Sequence, residues 1–369
     1  MPDFYLNAMG ANNTYQIYRV GFDGLPAAPA SLVVSPSQSG FDARHVYWPS
    51  PISIAGRTHI YATAEDNAGI GSIGLWIEGP SGTERVGQVL APTGDETEIG
   101  MAVVLPDTAD AGAPFKMIYG PVVGNFPRPR EIRLATSLDG KTWAKRGTLY
   151  APTHAGATYG FQVSNVCQDV DGTWRLFYSA TDRADASKFS AFEARSASIT
   201  GPWVSYAKIF DPGGVSVSVT ASIALGTRYI PVSTTAGISP GHLYLLGDDS
   251  NARQQRVEVA KIYSPTVVIL KEQALVSGAG LMLRSVHFNK VDPSFFYRET
   301  PQSPGRFMFT AWGSFANSIN EFVFEAEEGA SGIEIKPPHR FLPFGPGNFL
   351  SFENPAAVRA NASCVLSTP

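Results

Sequence analysis

The chain carries little charge: Asp, Glu, Lys and Arg make up 16% of its 369 residues, and the formal net charge is -4. Nucleic acid and anionic membranes are recognised by dense basic patches, so neither is expected as a partner. A short cluster such as Arg128-Pro129-Arg130 reads as a solvated loop. Cysteine is scarce too. The chain has two, Cys167 and Cys364, each inside an apolar strand pattern. There is no Cys-x-x-Cys or His-rich spacing, so no metal centre or cofactor is expected, and both thiols read as small buried hydrophobes. No apolar window approaches the length of a membrane span. The opening residues, Met1-Pro2-Asp3-Phe4-Tyr5-Leu6, show no basic region followed by an apolar run. No Sec-type signal peptide is therefore expected.

What the chain does have is 36 Gly, 28 Pro and 11% aromatic residues, a balance that suits many short strands joined by tight turns. One phrase recurs, an apolar strand, a turn, an aromatic-rich strand and then another strand. It is clearest at Arg57–Thr63, Phe115–Tyr119, Thr173–Ala180 and Arg306–Trp312. Several strands per period of roughly 40 to 60 residues is the sequence signature of a β-propeller. Blades are expected over about Val46–Ala91, Ile99–Tyr150, Tyr159–Asp211 and Val291–Phe344. The remnants at the two ends, Tyr5–Ser39 and Asn348–Leu366, would join as a fifth blade and close the ring, which removes exposed sheet edges. Six blades is the competing count. The stretch 213–285 does not fit the repeat and reads as a small inserted β-module, with the propeller carried by 1–212 and 286–369.

Four phrases resemble those of the five-bladed propeller glycoside hydrolases, chiefly family 43 and its relatives. They are Ala135–Trp143, Gln168–Trp174, Ser198–Trp203 and Val291–Phe296. The segment Gly226–Gly237 is similar to a short repeat of bacterial surface proteins and phage virion proteins. The first resemblance implies three carboxylates in a central pocket, two of them flanking a glycosidic bond with one protonated and one ionised. The chain departs from that pattern. Trp48-Pro49-Ser50 stands where the family offers Asp-Pro-Ser, and the strand Phe161–Cys167 carries no acid. The acids left for such work are Asp292 (in Asp292-Pro293-Ser294), Glu353 and Glu98; Glu96 reads as part of an acidic loop.

Sugar rings offer apolar C–H faces to aromatic planes, so a stacking platform with amides nearby suits a glycan. Tyr47, Trp48, Tyr159, Phe161 and Phe352 fall near expected inner-strand starts, together with His45, Gln162, Asn165 and His287. Two functions follow as expectations. One is a non-catalytic propeller that binds a polysaccharide or surface glycan on a phage-like virion, with other virion proteins as further partners; it would sit on an extracellular particle, or in the cytoplasm before assembly. The other is an active glycoside hydrolase with rearranged carboxylates. A purely structural virion component is a third.

Overall fold

The computed structural model describes residues 4–9, 14–20, 30–124, 129–182, 185–248, 254–312, 321–329, 332–335 and 351–366. Every regular element among them is a strand, with no helix. The first three strands are β1 (Phe4–Met9), β2 (Tyr15–Val20) and β3 (Ser31–Val34). A meander of four follows: β4 (His45–Ile54), β5 (Arg57–Glu65), β6 (Gly71–Gly79) and β7 (Gly82–Leu90). The next comprises β8 (Glu96–Pro106), β9 (Phe115–Val123), β10 (Ile132–Ser137) and β11 (Ala144–Tyr150). The third is β12 (Tyr159–Gln168), β13 (Trp174–Asp182), β14 (Asp185–Ser196) and β15 (Val204–Phe210).

A separate sheet then forms from β16 (Ser216–Ser218), β17 (Tyr229–Pro231), β18 (Leu243–Gly247), β19 (Gln254–Ser264), β20 (Val267–Leu270) and β21 (Met282–Ser285). The fourth meander is β22 (Lys290–Tyr297), β23 (Arg306–Trp312), β24 (Glu321–Gly329) and β25 (Gly332–Ile335). The last strand, β26 (Ser351–Ala357), pairs antiparallel with β1, so its sheet runs β26-β1-β2-β3.

The first strands of the meanders touch in a closed cycle: β4 meets β8, β8 meets β12, β12 meets β22, β22 meets β26 and β26 meets β4. That cycle makes the molecule a propeller, closed by pairing the two ends of the chain (Asn7 opposite Glu353, Ala8 opposite Phe352). The expected closure is met by a four-stranded sheet, in which Phe4–Met9 is buried on both faces and shows no alternation to read. Inner strands follow the same rule, and every residue of β22 is buried. Outer strands alternate or stay wet, as in β11 and β15. Turns carry their own chemistry. The Asp139 carboxylate accepts N–H bonds from Lys141 (2.8 Å) and Thr142 (2.7 Å), and Gly140 takes the left-handed conformation that follows (φ 71°).

The segment expected as an insertion has its own core, with Ile230, Val232, Leu246, Val259, Val268 and Leu283 packed together. Its entry and exit adjoin: the Gly213 N–H donates to the His287 carbonyl at 3.0 Å. One face is not independent, since Leu245 is buried against Phe307, Phe309 and Phe324 of the fourth meander.

After β26 the chain runs as a strap across the far ends of the inner strands. Ser53 N–H donates to the Arg359 carbonyl (2.8 Å), Cys364 N–H to the Gln168 carbonyl (2.9 Å) and Leu366 N–H to the Arg298 carbonyl (2.9 Å). The strap thus touches the first, third and fourth meanders. It also corrects the expectation of two free thiols. Cys167, near the end of β12, and Cys364 are joined in a disulfide with Cα atoms 5.1 Å apart. Partners 197 residues apart in sequence meet because the strap returns across the axis.

Candidate functional site

Each inner strand carries extra residues where it faces the axis. Register shifts fall at Tyr47/Ser50 in β4, Gly100/Val103 in β8, Val163/Asn165 in β12, Asp292/Phe295 in β22 and, against Tyr5/Asn7, between Glu353 and Ala356 in β26. A bulge sets two residues against one, bends the strand and re-aims its side chains. Proline tolerates such a position because no ladder hydrogen bond is lost, which explains Pro49, Pro293 and Pro355. Two bulge residues take the left-handed conformation unusual for side-chain-bearing residues: Trp48 (φ 51°) and Met101 (φ 55°). The Trp48 backbone is held there by its N–H donating to the Asn7 side-chain oxygen at 3.0 Å, and that of Met101 by the Thr63 hydroxyl at 2.8 Å.

The bulges surround a cleft open to solvent, to which all five inner strands contribute. Its chemistry rests on Trp48, Ser164, Asn165, Asp292, Ser294 and Arg359. Asp292 is 2% exposed; its carboxylate accepts a hydrogen bond from the Ser164 hydroxyl. The Ser294 hydroxyl pairs with that of Thr310 at 2.7 Å. Arg359 comes from the strap. Its guanidinium donates to the Val166 carbonyl (2.5 Å) and to the Asn165 side-chain oxygen (2.9 Å), and lies 5.3 Å from the centre of the Phe295 ring. Desolvation lowers its pKa to about 10, and it remains a cation at neutral pH.

The structure brings three of the expected residues to the cleft: Trp48, Asn165 and Asp292. Asn165 serves there as an anchor for Arg359. Tyr47 and His45 sit beside Trp48 at the rim: the rings of Tyr47 and Trp48 are 4.8 Å apart, and Tyr15 contacts both His45 and Tyr47. Because His45 Nδ1 accepts the Tyr15 N–H (3.2 Å), its proton belongs on Nε2, 3.7 Å from Glu65. Burial, and then Arg44, hold His45 below its ordinary pKa. Glu98 lies on β8, outside the cleft lining, and burial raises its pKa. Gln162 flanks the cleft and accepts from Ser179 at 3.2 Å.

Two expected site residues are placed elsewhere. Phe161, 1% exposed, packs in the core between the second and third meanders, edge-on to Tyr178, because the residues before the β12 bulge face the neighbouring blade. His287 precedes β22 and lines a second cleft with His242, Tyr244 and Phe324, between the inserted sheet and the fourth meander. The side chains of Tyr159, Phe352 and Glu353 lie outside the described residues. Glu96 is a structural acid, held by Arg133 (3.0 Å), Tyr119 (2.9 Å) and Lys145. Arg359 was not among the expected site residues, because nothing in its local sequence tells that the chain after β26 turns back to the axis.

No family model matches the chain, and no curated protein matches it significantly. Solved structures do. The chain is similar to an exo-1,5-alpha-L-arabinanase from a bovine ruminal metagenomic library, with 13% identity over 91% of this chain and 93% of that one and a TM-score of 0.49. It is also similar to a glycosyl hydrolase from Bacteroides ovatus (14% identity, 90% and 95% covered, TM-score 0.41). A third is an alpha-L-arabinofuranosidase from Lactobacillus brevis (15% identity, 78% and 90% covered, TM-score 0.42). At such identities and scores the likeness is one of strand layout and gives no residue a role.

Proposed function

We propose that the protein binds a saccharide in the axial cleft and does not hydrolyse it. The observation that carries this is the convergence at the bulges: an indole presented by a left-handed Trp48, beside hydroxyl, carboxylate and guanidinium groups contributed by other strands and by the strap. Stacking on an aromatic plane with polar groups to fix orientation is how sugars are held. Cleavage needs two carboxyl groups across the bond. Among the described residues lining the cleft, Asp292 is the one carboxylate.

A hydrolase is the second reading, and one observation favours it. Glu353 precedes the bulge of β26 as Asp292 precedes that of β22, and these two strands are neighbours on the axis. For setting, we propose an extracellular particle of phage-like type. The buried disulfide suits a chain that works outside a reducing cytoplasm, and the inserted segment's resemblance to virion repeats points the same way.

An oligosaccharide array with product analysis on every hit tests the proposal. Binding without release of new reducing ends is expected. Trp48→Ala should weaken it by roughly 1 to 3 kcal/mol, as for other aromatic anchors. Steady hydrolysis of any bound glycan, abolished in Asp292→Asn, would overturn the non-catalytic assignment.

A further inference from the structure

Resting on the saccharide-binding proposal, we infer that the cleft selects a sugar unit bearing an anionic substituent, with Arg359 as the residue that reads it. Arg359 has five N–H groups to satisfy. Two donate to neutral oxygens, the Val166 carbonyl and the Asn165 amide; the other three have no acceptor among the described residues, and no carboxylate pairs with this guanidinium. A half-buried cation without a counter-charge carries a desolvation cost that nothing repays, and charges drawn into a protein are ordinarily paired. Two other guanidinium groups drawn into the molecule are paired with carboxylates: Arg175 with Glu193 and Glu328, and Arg298 with Asp169. Arg359 lacks such a partner in a cleft where a ligand can supply the missing anion.

The placement is over-determined. The Arg359 main chain is tied to the first meander through Ser53 and Pro51. Its side chain is tied to the third through Asn165 and Val166, and it lies over Phe295 of the fourth. Five residues on, the disulfide fixes the strap that delivers it. A guanidinium held so rigidly loses little entropy when a planar or tetrahedral oxyanion docks on its fork. Asp292 limits where that anion can sit. A ligand whose anion meets Arg359 keeps that anion away from the Asp292 carboxylate; an anion turned the other way is repelled.

Oligosaccharides sharing one backbone but carrying carboxylate, sulfate or only hydroxyl groups, titrated calorimetrically, provide the test. Galacturonan and galactan, and glucuronan and glucan, serve as backbones. Wild-type protein should bind an acidic member at least ~10-fold tighter than its neutral counterpart, with the margin shrinking as salt is raised. The carboxylate and sulfate arms identify the anion. Arg359→Gln should abolish the margin, so that acidic and neutral members bind this variant with equal affinity and without the salt dependence. Arg359→Lys, which keeps the charge and loses the fork, should recover part of it. Equal or better binding of neutral members by the wild type overturns this inference and leaves the saccharide proposal standing. Failure of every saccharide to bind overturns both. Should the Arg359 variants not fold, the wild-type preference and its salt dependence still decide.

Discussion

Replacing both cysteines with alanine should destabilise the protein by an amount the topology fixes in advance. Cys167 and Cys364 are 0% and 2% exposed and close a loop of 197 residues. Cross-linking a loop of that length removes about 5 kcal/mol of denatured-state entropy in the chain-entropy model, and measured values more often run about 2 to 4 kcal/mol. The unfolding entropy of a 369-residue chain is roughly 0.8 kcal/mol per degree near 60 °C. The shift in midpoint should therefore be about 3 to 6 °C downward. The loop contains the inserted sheet, the fourth meander and β26, so the disulfide restrains the strap and the closing strand together. Differential scanning calorimetry of Cys167→Ala/Cys364→Ala against wild type measures the shift. Thiol titration in denaturant establishes the reference state, with no reactive thiol expected before reduction and two after. A midpoint unchanged within 1 °C, in wild-type protein whose disulfide is shown to be formed, would refute the reasoning. So would two free thiols in protein made under oxidising conditions.

Acid should weaken the contact between the inserted sheet and the fourth meander. Burial, and secondarily the charge of His242, lower the His287 pKa from the ordinary 6.5 to about 4. A base depressed by folding contributes stability that is whole above pH 6.5 and is lost as pH falls toward 4, at most about 3 kcal/mol here. Urea midpoints at pH 7 and pH 4.5 should diverge in wild type and converge in His287→Gln; an equal slope in the two proteins would show that His287 is not the group responsible. Replacing residues 214–286 with Gly-Ser-Gly should leave a cooperatively unfolding propeller, because Gly213 and His287 already adjoin. It should self-associate as concentration rises, because Phe309 and Phe324 lose the cover of Leu245. Absence of cooperative, soluble protein at any concentration would mean the segment is integral to the ring.

How much was legible in the sequence follows from what periodicity encodes. Strands such as Phe115–Val123 and Trp174–Asp182 announce themselves by apolar runs between turns, and the unpaired remnants at the ends implied closure before any contact was known. A short strand buried on both faces, Phe4–Met9, gives no alternation to read. Periodicity tells which face of a sheet a side chain takes, but not which end of the propeller it reaches. His287 stands three residues before β22 and was therefore expected at the axis, yet the chain reaches β22 from the outer side, where the inserted sheet lies. At the axis itself the bulges overturn the alternation by one residue. Trp48 and Asp292 were legible because each stands in a phrase, Trp48-Pro49-Ser50 and Asp292-Pro293-Ser294, that resembles the Asp-Pro-Ser of propeller hydrolases, and the proline beside each falls where the ladder is broken. Arg359 had no such marker. Its position depends on a strap held by isolated bridges and on a disulfide between cysteines nearly two hundred residues apart, so the charge that sets the character of the cleft is the one local sequence could not place.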